Sequence, residues 1–123
     1  MKYQVSENVK SKFDALVKDE KVLKAVEFVK DDNDAIIDKQ VELTLIPAPT
    51  FHEQDKAARL LEMFKEEGLE DCHIDEYGNC VGIRKGTGGG KTTLVEGHLD
   101  TVFPLGTKLE IKKEDGFIRC PGI

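Results

Sequence analysis

His98 and Asp100 are the residues of this chain whose types and spacing best suit catalysis. They lie in the sequence TTLVEGHLDTVFP, in which residues 92–95 are predicted to form a buried β-strand that ends in a charged turn. Side chains at the carboxyl end of a buried strand commonly form α/β active sites. A histidine there could bind a metal ion, and a carboxylate two residues later could hold its imidazole in the required tautomer.

The spacing alone is weak evidence, because His73 and Asp75 have the same separation. That second pair falls in an alternation of polar and apolar residues, which predicts the solvent face of a strand. The context distinguishes His98, since it follows Gly97 and an apolar segment and precedes a loop that Pro104 ends. His98 and Asp100 are therefore the better candidates.

The segment GHLDTVFP resembles the first metal motif of the di-zinc aminopeptidase and deacylase superfamily. This superfamily includes peptidase T, acetylornithine deacetylase, succinyl-diaminopimelate desuccinylase and the glutamate carboxypeptidases. Three further segments resemble the superfamily in the same order: LIPAPTFHEQDKAARLLEMFKEEGLE its first catalytic-domain helix with the lead-in, DEYGNCVGIRKG its first hairpin, and GFIRCPGI the approach to its second metal motif. Together these segments place the resemblance over roughly residues 34–123.

The resemblance implies a fold and a domain division. We expect an α/β fold, namely a truncated part of a three-layer α/β/α sandwich with a mixed sheet. Residues 1–33 would be a helical N-terminal segment, and residues 34–123 would be the N-terminal part of the catalytic domain.

The resemblance also implies an activity, which is hydrolysis of peptide or N-acyl-amino-acid amide bonds by a metal-bound water. His98 would be a terminal ligand of one metal ion, and Asp100 would be the catalytic residue that orients it without being a ligand. The family uses two zinc ions, with cobalt or manganese as possible replacements. The substrate of such an enzyme would be a peptide or an N-acyl amino acid.

One departure from the family pattern bears on activity. The metal-bridging aspartate of the family comes just after the segment that matches RCPGI, and its paired glutamates and distal histidine come later still. We therefore expect the chain to be the N-terminal portion of a metallohydrolase that is inactive alone and binds zinc no better than an isolated histidine. A non-catalytic α/β binding module, in which the HLD sequence is incidental, is the alternative.

The composition restricts the other function classes. The 123 residues have a net charge of −6, with basic residues mixed among acidic ones, which argues against nucleic-acid binding. No apolar run approaches the roughly 20 residues of a membrane helix, and no secretory signal is visible, so we expect a cytoplasmic protein without membrane contact. Cys72, Cys80 and Cys120 are expected to be reduced. Self-association through an uncovered sheet edge is also expected.

Helical and strand patterns alternate in a definite order. Residues 7–30 predict one or two amphipathic helices, with a break near Asp19, and residues 35–45 predict another. The next helix is predicted to begin with a capping box between Thr50 and Glu53 and to end before Gly68. Hairpins are predicted for residues 72–84 and around the turn at Asp115–Gly116, with a strand from residue 108 to 112.

Two further motifs have structural interpretations that we favour over functional ones. Cys72, His73 and Cys80 match no familiar zinc spacing and are expected to be strand residues. The glycine-rich segment 86–93 lacks the first glycine of a phosphate-binding loop, since Lys85 occupies that position, and a β-pattern follows it. His52 is expected to be an exposed residue at the start of a helix.

Overall fold

The computed structural model describes residues 4–123, and four helices occupy most of the first half of this range. They are α1 (Glu7–Leu16), α2 (Glu20–Asp31), α3 (Asn33–Thr44) and α4 (Gln54–Glu66). The predicted break between the first two helices is confirmed. It occurs at Asp19, whose carboxylate accepts hydrogen bonds from the backbone N–H groups of Lys21 (2.8 Å) and Val22 (3.2 Å) and so caps α2.

The chain divides into two compact units, one ending at Asp38 and the other comprising Lys39–Ile123. In the first unit, no residue of α1 or α2 is buried. Its two phenylalanines, Phe13 and Phe28, are 62% and 66% exposed. Within residues 4–123, no helix has the length and apolar character needed to cross a membrane.

Two antiparallel hairpins form the regular β-structure of the second unit. The first consists of β1 (Glu70–Ile74) and β2 (Cys80–Ile83), and the second of β3 (Lys112–Glu114) and β4 (Phe117–Arg119). Asp115 and Gly116 both have positive φ, 52° and 76°, which suits the two-residue turn between β3 and β4. Both predicted hairpins are thus confirmed, although the strand predicted for residues 108–112 contributes only Lys112.

The predicted buried strand at residues 92–95 is wrong. This segment has no regular structure, and Leu94 and Val95 are 80% and 89% exposed. A strand is stabilised by hydrogen bonds and side-chain contacts from a neighbouring strand, and within residues 4–123 no strand pairs with this segment. The same residues contain helices and small antiparallel sheets, which is a mixed α and β structure, but a mixed sheet and three layers are not seen among them.

The first hairpin packs on α4, and the chain reaches it through a tight helix end. Gly68 adopts a φ of 71°, and the N–H of Leu69 donates to the carbonyl of Phe64 at 3.0 Å. This is the hydrogen-bond pattern of a Schellman motif, so the prediction that the helix ends before Gly68 is confirmed. It places the side chains of Phe64 and Leu69 against the backbone of Gly82 in β2.

Ion pairs join α3 to α4. Arg59 of α4 forms hydrogen-bonded ion pairs with Glu42 of α3 and, at 3.1 Å, with Glu66. Lys39 at the start of the second unit pairs with Glu67 in the same way. The closely packed part of the described chain is small: the buried residues are Thr44, Ala48, Lys56, Ala57 and Met63.

Replacing Gly82 with alanine should destabilise the second unit. An added Cβ would lie 2.8 Å from Leu69 Cδ2 and 2.9 Å from Phe64 Cδ2, closer than carbon atoms approach in proteins. We expect a loss of about 1–3 kcal/mol in the free energy of unfolding, measured by urea denaturation. The control is Gly86→Ala, because a Cβ on Gly86 would meet no atom within 4 Å. Equal stabilities of the two variants would contradict the packing described here.

Candidate functional site

The Asp100 carboxylate links His98, the other functional residue predicted from the sequence, to Thr50, which lies shortly before α4. Its Oδ2 accepts a hydrogen bond from the Thr50 hydroxyl at 2.8 Å, and its Oδ1 lies 3.1 Å from Nδ1 of His98. The same Nδ1 lies 2.9 Å from the backbone carbonyl oxygen of Asp100. The structure therefore brings Thr50, His98 and Asp100 into one hydrogen-bonded chain.

The partners of His98 determine its tautomer. An ionised carboxylate and a carbonyl oxygen only accept hydrogen bonds, so Nδ1 must carry the proton that it donates to them. In the neutral imidazole, Nε2 then has a free lone pair. The His98 side chain is 85% exposed, so a ligand can approach this nitrogen from solvent. A histidine with Nδ1 donating to a carboxylate and Nε2 free has the arrangement that metal-binding histidines use.

Backbone contacts between two distant segments hold this chain of hydrogen bonds. The N–H of Thr101 donates to the carbonyl of Ala48 at 2.7 Å, and Pro49 and Thr101 form a parallel β-bridge. Ala48 is completely buried. Because residues 48–50 lie beside residues 100–101, the Thr50 hydroxyl reaches the Asp100 carboxylate.

The capping box predicted between Thr50 and Glu53 is wrong. The Thr50 hydroxyl donates to Asp100 instead, and the Glu53 carboxylate accepts from the N–H of Phe51 at 2.8 Å, one residue beyond the predicted donor. The box is absent because the N-cap residue of α4 is Glu53 and not Thr50, so Thr50 lies outside the helix end. Phe51 is left with a φ of 71°, a conformation that large side chains rarely adopt.

Two charged groups near the site have shifted pKa values. The hydrogen bond from Thr50, followed by that from His98, holds the pKa of Asp100 below its usual value of 3.8. Burial lowers the pKa of Lys56, while the attraction of Asp100 raises it and partly offsets that effect. The sequence analysis did not identify Lys56 as a buried residue. Lys56 lies four residues before Leu60, so the two share one face of α4, and that spacing was a signal of burial.

The second His-x-Asp sequence is arranged differently. Nδ1 of His73 lies 2.7 Å from the carbonyl oxygen of Asp71 and makes no hydrogen bond to Asp75. Asp75 instead accepts hydrogen bonds from Tyr77 and Asn79 in the hairpin turn, and those from Asn79 chiefly lower its pKa. The same spacing therefore gives a histidine–carboxylate contact at His98 and a turn at Asp75.

The described residues supply one candidate metal ligand and not a whole metal site. Among residues 4–123, no group of three or more histidine, cysteine, aspartate or glutamate side chains is placed to hold a metal ion. His52 is exposed, and Cys72, Cys80 and Cys120 are free thiols. A zinc site needs about three protein ligands, so these residues do not by themselves fit the predicted ions.

Comparison with known proteins gives two partial similarities. No family model matches the chain. A protein of Thermococcus kodakarensis described as a putative LysW-lysine/LysW-ornithine hydrolase is 34% identical over 77 residues, which cover 63% of this chain and 21% of that protein. A protein of Pyrococcus abyssi with the same description is 38% identical over 61 residues, which cover 50% of this chain and 17% of that protein.

The chain is similar to hydrolases. It matches about a fifth of the length of these two curated relatives. The similarity supports the hydrolase superfamily that the motif around His98 resembles, and it does not distinguish among the individual members of that superfamily.

Replacing Thr50 with valine should raise the pKa of Asp100 toward 3.8, because the largest stabilising contact of the carboxylate is lost. A lowered pKa stabilises the folded state above pH 3.8, and this contribution is lost as the pH falls through the folded-state value. The variant should therefore lose less stability on acidification. Carboxyl carbon NMR titration measures the pKa, with Asp75 as the internal control. An unchanged pKa of Asp100, or equal pKa shifts of Asp100 and Asp75, would show that the Thr50 hydrogen bond does not lower the pKa of Asp100.

Proposed function

We propose that this chain is the N-terminal portion of a zinc-dependent hydrolase that cleaves peptide or N-acyl-amino-acid amide bonds with a metal-bound water. His98 is the metal ligand through Nε2, and Asp100 orients it. The contact of His98 Nδ1 with Asp100 Oδ1 at 3.1 Å carries this proposal, because it leaves Nε2 unprotonated and open to solvent. The similarity to two proteins described as hydrolases supports the reaction class.

The residues of this chain have a limited share of the chemistry. A bound zinc ion would polarise the scissile carbonyl and acidify a water molecule. His98 would hold such an ion, Asp100 would keep Nδ1 protonated, and Thr50 would fix the second oxygen of Asp100. The other ligands and the general base would come from a parent protein of about the length of the two relatives, whose catalytic domain would have the three-layer sandwich with a mixed sheet.

The names of the relatives suggest a substrate class. They describe hydrolysis of lysine or ornithine joined to LysW, and we propose an amide of such an amino acid in preference to an unrestricted peptide. Cobalt or manganese in place of zinc, a cytoplasmic location and self-association of the isolated chain remain part of the proposal. No observation favours the non-catalytic binding module.

A fusion tests the proposed function directly. The region of the Thermococcus kodakarensis relative that aligns with this chain is replaced by the chain's own residues, and release of lysine from LysW-lysine is measured with zinc present. We expect the fusion to be active and Asp100→Asn to lower its activity about 10- to 100-fold, the usual effect of losing a residue that orients a metal ligand. His98→Ala should cost more, since it removes the ligand itself.

The matched control is His73→Ala, which removes the histidine of the other His-x-Asp sequence and should leave activity unchanged. Circular dichroism establishes that each fusion is folded. A folded fusion without activity, or one in which His98→Ala and His73→Ala behave alike, would contradict the proposed function.

A further inference from the structure

The turn at residues 49–52 leads into α4, and its third residue has an unfavourable conformation. The N–H of His52 donates to the carbonyl oxygen of Pro49 at 2.8 Å, which closes the turn, and Phe51 between them has a φ of 71°. A turn with a positive φ at its third residue usually has glycine or asparagine there, since these residues tolerate the left-handed region. Phenylalanine is destabilised in this conformation, so surrounding contacts have to hold it.

Glu53 supplies the shortest side-chain contact to this strained residue. Its carboxylate accepts a hydrogen bond from the N–H of Phe51 at 2.8 Å, while the Gln54 side chain donates to the Phe51 carbonyl at 3.4 Å. The Phe51 side chain is 84% exposed, so packing contributes little to holding it. Glu53 is the N-cap residue of α4, but within residues 4–123 it makes no side-chain cap hydrogen bond. Its carboxylate therefore serves the turn and not the helix.

The turn also directs Thr50, which is its second residue. On one side of Thr50, Pro49 is bridged to Thr101, and on the other side the chain enters α4 within a few residues. The Thr50 hydroxyl donates to Oδ2 of Asp100 at 2.8 Å. Because both ends of this short segment are held, the backbone direction at Thr50 depends on the φ of Phe51.

We propose that Glu53 is a positioning residue for the His98–Asp100 pair. It acts through the backbone of Phe51, because holding that residue at a positive φ keeps the Thr50 hydroxyl on Oδ2 of Asp100. Each link is a direct contact, and none requires a bound metal ion. The consequence for hydrolysis rests on the proposed function, in which Asp100 orients His98.

A helix-capping role for Glu53 would have a different consequence. An acidic residue at the start of a helix is stabilised by the helix dipole, so its removal would weaken α4 without changing the turn. Asp55 provides the matched control, because it is an exposed acidic residue in the first turn of the same helix. Asp55→Ala changes the charge at the helix start by the same amount and leaves the N–H of Phe51 bound to Glu53.

The test is NMR of the whole chain at neutral pH without added metal. Glu53→Ala should weaken the intraresidue NOE between the N–H and Hα of Phe51 severalfold, since this NOE is strong at positive φ. The side-chain couplings of Thr50 should change from those of one rotamer to an average over several. Glu53→Gln should keep both signals, because its amide oxygen also accepts a hydrogen bond, and Asp55→Ala should leave both unchanged.

Glycine at position 51 tests the proposed mechanism independently. Glycine adopts a positive φ readily, so combining Phe51→Gly with Glu53→Ala should restore the single rotamer of Thr50. If Glu53→Ala does not fold, Glu53→Asp takes its place, since aspartate is a good N-cap but its carboxylate is one methylene shorter. Circular dichroism monitors the folding of each variant.

A folded Glu53→Ala or Glu53→Asp variant that keeps a single Thr50 rotamer overturns the proposal. An equal loss of the rotamer in Asp55→Ala, or no recovery with Phe51→Gly, overturns it as well. These measurements require no hydrolysis, so they can fail while the fusion is active. An inactive fusion with the expected NMR results would instead contradict the proposed function alone.

Discussion

The contact between His98 and the carboxylate of Asp100 is the interaction on which the functional interpretation depends. The carboxylate and the Asp100 carbonyl are both acceptors, so together they assign the proton of the neutral imidazole to Nδ1. The lone pair is thereby left on the exposed nitrogen. If this contact were absent, His98 would be an ordinary surface histidine, as His52 is.

Few contacts position this pair, and most of them are distant in sequence. Thr50 reaches Asp100 because the backbone of Thr101 is bound to Ala48 and bridged to Pro49. The local backbone accepts an unfavourable φ at Phe51, which the Glu53 carboxylate stabilises by binding its N–H. Such strain is commonly found near functional sites, where the surrounding structure holds it in place. The segment before α4 therefore binds Asp100 through Thr50, while Glu53, the N-cap residue, makes no side-chain cap hydrogen bond.

Features that depend on local rules could be predicted from the sequence. Asp19 begins α2, Gly68 follows the end of α4, and Asp115–Gly116 turns the second hairpin, because each depends on the conformational preferences of one or two residues. The strand expected at residues 92–95 could not be judged in this way, since its formation requires a neighbouring strand. The Thr50 hydroxyl was assigned to Glu53 because no sequence rule brings Asp100, fifty residues away, within reach.

The site itself was only partly accessible to sequence reasoning. The resemblance identified His98 and Asp100, but it did not indicate Thr50, whose hydroxyl donates to Asp100. Thr50 was interpreted as a helix cap, and the burial of Lys56 was not expected because lysine mostly lies on solvated surfaces. The role of Thr50 depends on the bridge between Pro49 and Thr101, which is a tertiary contact.

Binding of zinc to the unmodified chain, followed through the ring nitrogens of all three histidines by NMR, tests the central claim most directly. We expect weak binding, of the strength that one histidine ligand gives. The Nε2 signal of His98 should shift first while Nδ1 keeps its proton, because Asp100 already holds that proton, and His52 and His73 should be affected only at higher zinc concentrations. A shift of His52 or His73 at lower zinc concentrations than His98, or coordination of His98 through Nδ1, would contradict the claim.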